Sequence, residues 1–256
     1  MIKKIVKAFI PDNTPLSNKI KKTLSRLRGI PPERPVQDIL ARYAKVKNDV
    51  TFLQVGANDG FKLDPINPYI IKYGWTGILV EPIPYLFEKL KQNYAKYSNK
   101  LFFENAAVSA SDGEQNFYRL KPSDDPNIPY WYDQLGSFKK EVVLKHKPRI
   151  HNFDELFIED KVKTISFKTL FKKHGIDKFD LIHIDTEGYD YEVLRLLDLK
   201  HINADVVLFE HKHLDEVSYK KAIEILQKLN YKLYRHSGDT IGVTRKTLQA
   251  INKVAL

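Results

Sequence analysis

The apolar run Leu181-Ile182-His183-Ile184 passes directly into Asp185-Thr186-Glu187-Gly188-Tyr189-Asp190. A buried strand that ends this way delivers two carboxylates, Asp185 and Glu187, to one edge of a sheet, just before a helix N-terminus where negative charge is favoured. Such acids orient a substrate hydroxyl, take its proton or hold a cation. Asp185 or Thr186 also suits N-capping of the following helix. A second strand, ending near Phe209, runs into Glu210-His211-Lys212-His213. His211 there has the chemistry of a general base near neutral pH. His213 is the weaker candidate, and His183, inside an apolar strand, reads as a core residue. Asp185, Glu187, Glu210 and His211 all have ligand chemistry, but no spacing of the H-x-x-x-H kind supports a metal, so none is assigned and a divalent ion stays an open question.

Two further strand ends carry binding chemistry. Val50 to Val55 leads into Gln54-Val55-Gly56-Ala57-Asn58-Asp59-Gly60, where Gly56 and Gly60 allow a tight turn and a close backbone approach. The spacing is G-x-x-x-G, not G-x-G-x-x-G, and no phosphate-loop lysine follows, which disfavours a pyrophosphate site. Gly77 to Val80 ends in Glu81-Pro82, about 20 residues beyond the turn. An acid at that place suits bidentate hydrogen bonding to the vicinal hydroxyls of a ribose.

The elements that must position these residues alternate between strand and helix from residue 50 onward. Strands are expected at Val50–Val55, Gly77–Val80, Leu101–Val108, Phe179–Ile184 and Asp205–Phe209. A short added strand is expected at Glu114–Leu120, and a closing hairpin at Tyr231–Tyr234 and Thr240–Val243. Helices are expected at about 84–97, 188–199 and 218–229. This alternation predicts an α/β fold with a mostly parallel sheet, whose ligands sit at the C-terminal strand ends. The segment 121–161, with Pro122, Pro126, Pro129, Pro148 and Tyr130-Trp131-Tyr132, reads as either a lid over those ends or an ordinary surface excursion. Residues 1–48 read as a basic helical arm, with a helix at about 36–46, and 49–256 as the main domain.

The chain has 256 residues, 43% hydrophobic and 12% aromatic, enough for a full core and too apolar for disorder. The absence of cysteine excludes disulfides, zinc thiolates, iron–sulfur clusters and a cysteine nucleophile. Net charge is +10, yet residues 1–30 hold eight Lys and Arg against the single acid Asp12, so +7 of it sits in the arm. Ile2, Ile5, Val6, Phe9 and Ile10 fall at helical spacing between lysines. That stretch either makes weak contact with an anionic membrane surface or packs on its own domain. Nucleic-acid binding is not expected, because no aromatic stacking platform interleaves the basic run. With no apolar run of membrane-spanning length and no signal-like N-terminus, a soluble, cytoplasmic protein is expected.

Taken in order, Phe52-Leu53-Gln54-Val55-Gly56-Ala57-Asn58-Asp59-Gly60, Gly77-Ile78-Leu79-Val80-Glu81-Pro82, Asn105-Ala106-Ala107-Val108-Ser109, Ile182-His183-Ile184-Asp185-Thr186-Glu187-Gly188 and Val207-Leu208-Phe209-Glu210-His211 resemble the FkbM family of S-adenosylmethionine-dependent methyltransferases over roughly residues 50–245. The resemblance implies a Rossmann-like class I methyltransferase fold, a seven-stranded sheet with an antiparallel last strand. It implies that Gly56, Ala57 and Asn58 border the methionine part of the cofactor, that Glu81 holds the ribose, and that Asn105 and Ala106 lie near the adenine. Asp185 and Glu187 would face the sulfonium and the acceptor, a hydroxyl of a sugar, glycan, glycolipid or secondary metabolite. One position departs from the family: an acid is frequent two residues before the glycine, and this chain has Gln54, which can accept the same hydrogen bond without the charge. Two other readings stand beside this one. One is a non-catalytic binding module, which Gln54 favours. The other is a nucleotide-sugar-modifying enzyme, which the missing G-x-G-x-x-G disfavours. Oligomeric state is not legible.

Overall fold

The computed structural model describes residues 34–97 and 99–254. The expected apolar and basic stretches of 1–30 lie outside the described residues. The principal sheet contains β1 (Thr51–Val55), β2 (Thr76–Val80), β3 (Leu101–Glu104), β8 (Leu181–Ile184), β9 (Val206–Glu210), β10 (Tyr231–His236) and β11 (Asp239–Thr244). Their order is β10-β11-β9-β8-β1-β2-β3. All neighbours are parallel except at β11, which is antiparallel to both β9 and β10. The central strands β1, β2, β8 and β9 bury nearly every residue, as apolar runs flanked by helices on both faces must. The chain leaves β1 toward β2 on one side and returns at β8 on the other. The strand order therefore reverses between β1 and β8, and a crevice opens there beyond the strand ends.

Two apolar layers sandwich this sheet. One holds Leu53, Ile78, Ile182 and Val207 with helices α6 (Phe167–His174), α7 (Asp190–Leu196), α8 (Leu199–Ile202) and α9 (Glu216–Lys228). The other holds Phe52, Leu79, Leu181 and Leu208 with α1 (Pro35–Val46), α2 (Asn67–Tyr73) and α3 (Pro84–Asn93), together with the closing helix α10 (Arg245–Ile251). Helix α1 was expected to belong to the arm. Its residues Val36, Ile39, Leu40, Tyr43 and Ala44 recur at helical spacing and are buried against the sheet. Tyr43 donates to Asp205 Oδ2 at 3.0 Å, and Arg42 donates to the Val254 carbonyl at 2.6 Å. The helix is thus part of the core, and the expected boundary at 48/49 cuts through one packed layer.

The single strand expected at Leu101–Val108 is two. Glu104-Asn105-Ala106 turns out of the main sheet, and β4 (Ala107–Val108) starts a second one with β5 (Gly113–Leu120), β6 (Gly136–Ser137) and β7 (Phe157–Ile165), in the order β4-β7-β5-β6. The segment expected to be irregular, 121–161, spans the connection from β5 to β7, and its last five residues are the start of β7 itself. It contains α4 (Lys140–Leu144) and α5 (Phe153–Leu156) and has its own core of Leu120, Ile128, Tyr132, Leu135, Val143, Ile150 and Phe153. It is a built roof over the strand ends, tied down where Ser137 Oγ donates to the Glu187 carbonyl at 2.8 Å and Tyr85 to the Asp133 carbonyl at 2.8 Å. Among the described residues no helix is long and apolar enough to cross a membrane.

Leu40 in α1 is fully buried. Leu40→Ala should therefore lower the stability of the whole domain by about 2–5 kcal/mol in a single urea transition. A loss under about 0.5 kcal/mol, the range of surface changes, would return α1 to the arm.

Candidate active site at the strand ends

The turn after β1 is built on backbone contacts. Gly56 and Ala57 both donate to the Val80 carbonyl, at 2.9 and 3.0 Å, and Asp185 donates to the Val55 carbonyl at 2.9 Å. Gly56 has φ +81°, and a Cβ on it would fall 1.7 Å from the Asp185 carbonyl oxygen. Glycine is required for both reasons, and through it the end of β1 reaches the end of β8. Asn58 (φ +50°) and Glu187 (φ +48°) also hold left-handed backbone at the crevice, a strained state for residues with side chains.

Two clefts meet there. An apolar one runs past Pro82, Ile83, Ala106, Ala107, Phe138 and Tyr189. A polar one runs past Gln54, Asp64, His183, Arg149, Glu210 and Lys212. Gly56, Asn58, Gln134, Asp185 and Glu187 line both, so the two carboxylates read from the sequence sit at the junction.

Glu81 lines the apolar cleft and is 3% exposed. Its Oε2 accepts from the Asn58 N–H and its Oε1 from the Ile83 N–H, each at 2.8 Å. A carboxylate has about four acceptor sites, so capacity remains on each oxygen. Burial pushes its pKa up to about 7, against the two backbone bonds. Asn105 lines neither cleft. Its Nδ2 donates to the carbonyls of Glu81 and Pro82, at 2.8 and 3.2 Å, so it fixes the loop that carries Glu81. Ala106, its neighbour, does line the apolar cleft.

Gln54 is 1% exposed and lines the polar cleft together with Ala57. Its Nε2 donates to Asp64 Oδ2 and to His183 Nδ1, both at 3.1 Å, while its Oε1 is buried with no partner. Asp64, which no motif marked, thus stands beside Gln54. Burial holds His183 neutral, with its pKa down to about 4.

His211 is not at the junction. Arg235 Nε, which can only donate, reaches its Nε2 at 2.8 Å, so its Nδ1 carries the proton and donates to Thr240 Oγ1 at 3.0 Å. Both nitrogens are spent on β10 and β11, and His211 lines neither cleft. The expected base role fails on that geometry. The histidine that faces the acids is His213, whose Nε2 lies 3.1 Å from Glu187 Oε2 and 4.0 Å from Glu210 Oε1. Its successor position in the loop, two residues past His211, carried no distinguishing sequence signal.

The turn 186–188 is not capped by Asp185 or Thr186. Fully buried Asp190 reaches back and accepts from the N–H groups of Thr186 and Gly188, at 3.3 and 3.1 Å. Asp185 Oδ1 and Thr186 Oγ1 are consequently buried without partners. Burial pushes these acids up, helped by repulsion from Asp239 and Asp64 at Asp185 and from Asp185 at the other three: Asp185 to about 7, Asp190 to about 8, Glu210 to about 11 and Glu187 well above its ordinary value. Burial and Lys212 push His213 down to about 4.

Residues 54–233 match the methyltransferase FkbM domain. The chain belongs to the FkbM methyltransferase family. A search of curated proteins finds no match. Among solved structures, a methyltransferase FkbM from Methylobacillus flagellatus is similar at 10% identity and a TM-score of 0.48, over 77% of this chain and 44% of that one. A methyltransferase from Geobacter sulfurreducens is similar at 10% identity and a TM-score of 0.43, over 95% and 94%. The Methanococcus jannaschii fibrillarin pre-rRNA processing protein is similar at 13% identity and a TM-score of 0.36, over 78% and 68%. The chain spans less than half the length of the first of these relatives. In this family member the strand order 3-2-1-4-5-7-6, counting main-sheet strands along the chain, agrees with the expected class I methyltransferase fold.

Raised carboxylates retain protons that the unfolded chain has lost above about pH 4.5, so they make stability fall as pH rises through their folded pKa values. The depressed histidines act oppositely, but only between about pH 4 and 6.5. The melting temperature of the ligand-free protein should therefore drop between about pH 6.5 and 8, as Glu81, Asp185 and Asp190 ionise. A melting curve that holds level or rises across that window would contradict the burial of these acids.

Proposed function

We propose that the protein is an S-adenosylmethionine-dependent O-methyltransferase acting on a polar acceptor, a hydroxyl of a sugar, glycan, glycolipid or secondary metabolite. The observation that carries this reading is the junction: an apolar cleft and a polar cleft that meet at Asp185 and Glu187. When bound, the cofactor would supply a methyl group already activated on a sulfonium.

The residues present fit such a cofactor. Ile83, Ala107 and Phe138 give the apolar cleft walls suited to a purine. Glu81, held from behind by Asn105, has free acceptor capacity for ribose hydroxyls. Gln54 Oε1 is a buried acceptor without a donor, which a ligand's amino group would satisfy, and Asp64 beside it adds a carboxyl acceptor to the same cleft. Asp185 is placed to take the acceptor's proton. Its pKa of about 7 is near the optimum for a base at neutral pH, and its Oδ1 is unengaged. The polar cleft, with Arg149 over the Trp131 ring at 4.9 Å and Lys212 at its side, suits an acceptor rich in oxygen.

Calorimetric titration with S-adenosylhomocysteine should show saturable binding that Glu81→Ala abolishes. No binding to the folded wild type, or undiminished binding to the variant, would overturn the reading. With methyl-labelled cofactor and a panel of sugars and glycans, Asp185→Asn should lower transfer by about 10²–10⁴-fold. Full transfer by that variant would remove Asp185 from the base role.

A further inference from the structure

Glu210 and His213 have no part in the reading above, yet they share the polar end of the site with Glu187. One ligand atom from each of Glu187, Glu210 and His213 lies within 4.8 Å of the other two. The imidazole Nε2 is 3.1 Å from Glu187 Oε2 and 4.0 Å from Glu210 Oε1. Atoms bound about 2.1 Å from one ion lie roughly 3.0 Å apart when adjacent and about 4.2 Å when opposite, so these spacings are already those of a shared coordination sphere.

A second observation points the same way. The His213 side chain is 7% exposed, and its Nε2 makes no hydrogen bond although it faces two carboxylates. Glu187 Oε2 and Glu210 Oε2 are likewise buried and unpartnered. Buried polar atoms are nearly always satisfied, and unpartnered atoms on three side chains whose ligand atoms cluster within 4.8 Å mark a missing partner. The partner must accept lone pairs from all three, which a cation does. Among the described residues no lysine or arginine forms an ion pair with Glu187 or Glu210; exposed Lys212 at the cleft favours their charged forms without pairing with either. Gly188 makes the convergence possible. A Cβ there would lie 3.1 Å from the His213 carbonyl oxygen, so glycine lets the loops after β8 and β9 close on each other.

We propose that Glu187, Glu210 and His213 bind a first-row divalent transition-metal ion, Mn²⁺ or Zn²⁺. The imidazole argues against Mg²⁺ and Ca²⁺, which favour oxygen-only ligand sets. Glu187 and Glu210 line the polar cleft, so the ion's remaining coordination positions face the acceptor side. There it would hold an acceptor oxygen and lower the pKa of its hydroxyl. That use rests on the methyl-transfer reading, whereas the binding of the ion does not.

The test uses the full chain, treated with chelator and free of cofactor. Titration with Mn²⁺, followed by the electron paramagnetic resonance signal of the free ion, should show one ion bound per chain, displaced by Zn²⁺. His213→Ala and Glu210→Gln should each weaken binding by about tenfold or more, while Asp154→Asn on the exposed surface leaves it unchanged. Circular dichroism checks that the variants fold, and Glu210→Gln preserves volume if His213→Ala does not fold. Absence of both Mn²⁺ and Zn²⁺ binding by the wild type, or undiminished binding by folded variants, would overturn the site. Binding of S-adenosylhomocysteine without metal binding overturns the ion site alone. Metal binding without it overturns the methyl-transfer reading alone.

Discussion

Four carboxylates crowd one buried end of the sheet, and the site is organised around the cost of their charge. Asp185, Glu187 and Asp190 follow one strand within six residues, and Glu210 ends the strand paired beside it. Ligand oxygens of Glu187 and Glu210 lie within 4.8 Å, a separation at which two full charges repel by about 3–4 kcal/mol even at an effective dielectric of about 20. The acids cannot all be ionised without a counter-charge. Backbone N–H groups meet part of that demand at Asp190. Protons or a bound cation must meet the rest. This is the situation in which a carboxylate can act as a base near neutrality, because its proton affinity has been raised to match.

The fold produces the crowding with little more than two glycines and a strand order. Gly56 lets the turn after β1 touch the Asp185 carbonyl, and Gly188 lets the β8 turn pack under His213. The reversal of strand order between β1 and β8 leaves a crevice where these turns meet. The second sheet then roofs it. Ser137 and Gln134 come from the segment between β5 and β7, and bond back to the Glu187 and Lys62 carbonyls at 2.8 and 3.1 Å. A roof with its own core excludes water from the acids and so sustains their raised pKa values.

The strand ends were legible because a run such as Leu-Ile-His-Ile is buried on both faces, which makes the first carboxylate after it conspicuous. Glu81, Asp185 and Glu187 were found this way, and Gln54 by its departure from a family pattern. The second sheet was not legible. Phe157–Ile165 lacks a clean two-residue alternation, since Phe-Ile is followed by Glu-Asp-Lys, and its partner in β5 is some forty residues earlier, a pairing no local window contains. The break at Asn105 was hidden for a related reason, since Leu101 to Val108 is apolar enough for one strand and only the Asn105 bonds to Glu81 and Pro82 show where it turns. The choice between His211 and His213 depended on Arg235 and Thr240, over twenty residues downstream. Asp64 belongs to the site through Gln54 alone, and nothing in its own neighbourhood announced it.

The central claim is that the two clefts hold one adenosyl cofactor across their junction, with Asp185 beside its reactive end. A crystal structure of the protein grown with S-adenosylhomocysteine tests this most directly. The account predicts density for the adenine between Ile83 and Phe138, the ribose on Glu81, and the amino group on Gln54 Oε1 or Asp64. Density for the ligand elsewhere, or clefts filled only by solvent at saturating ligand, would contradict it.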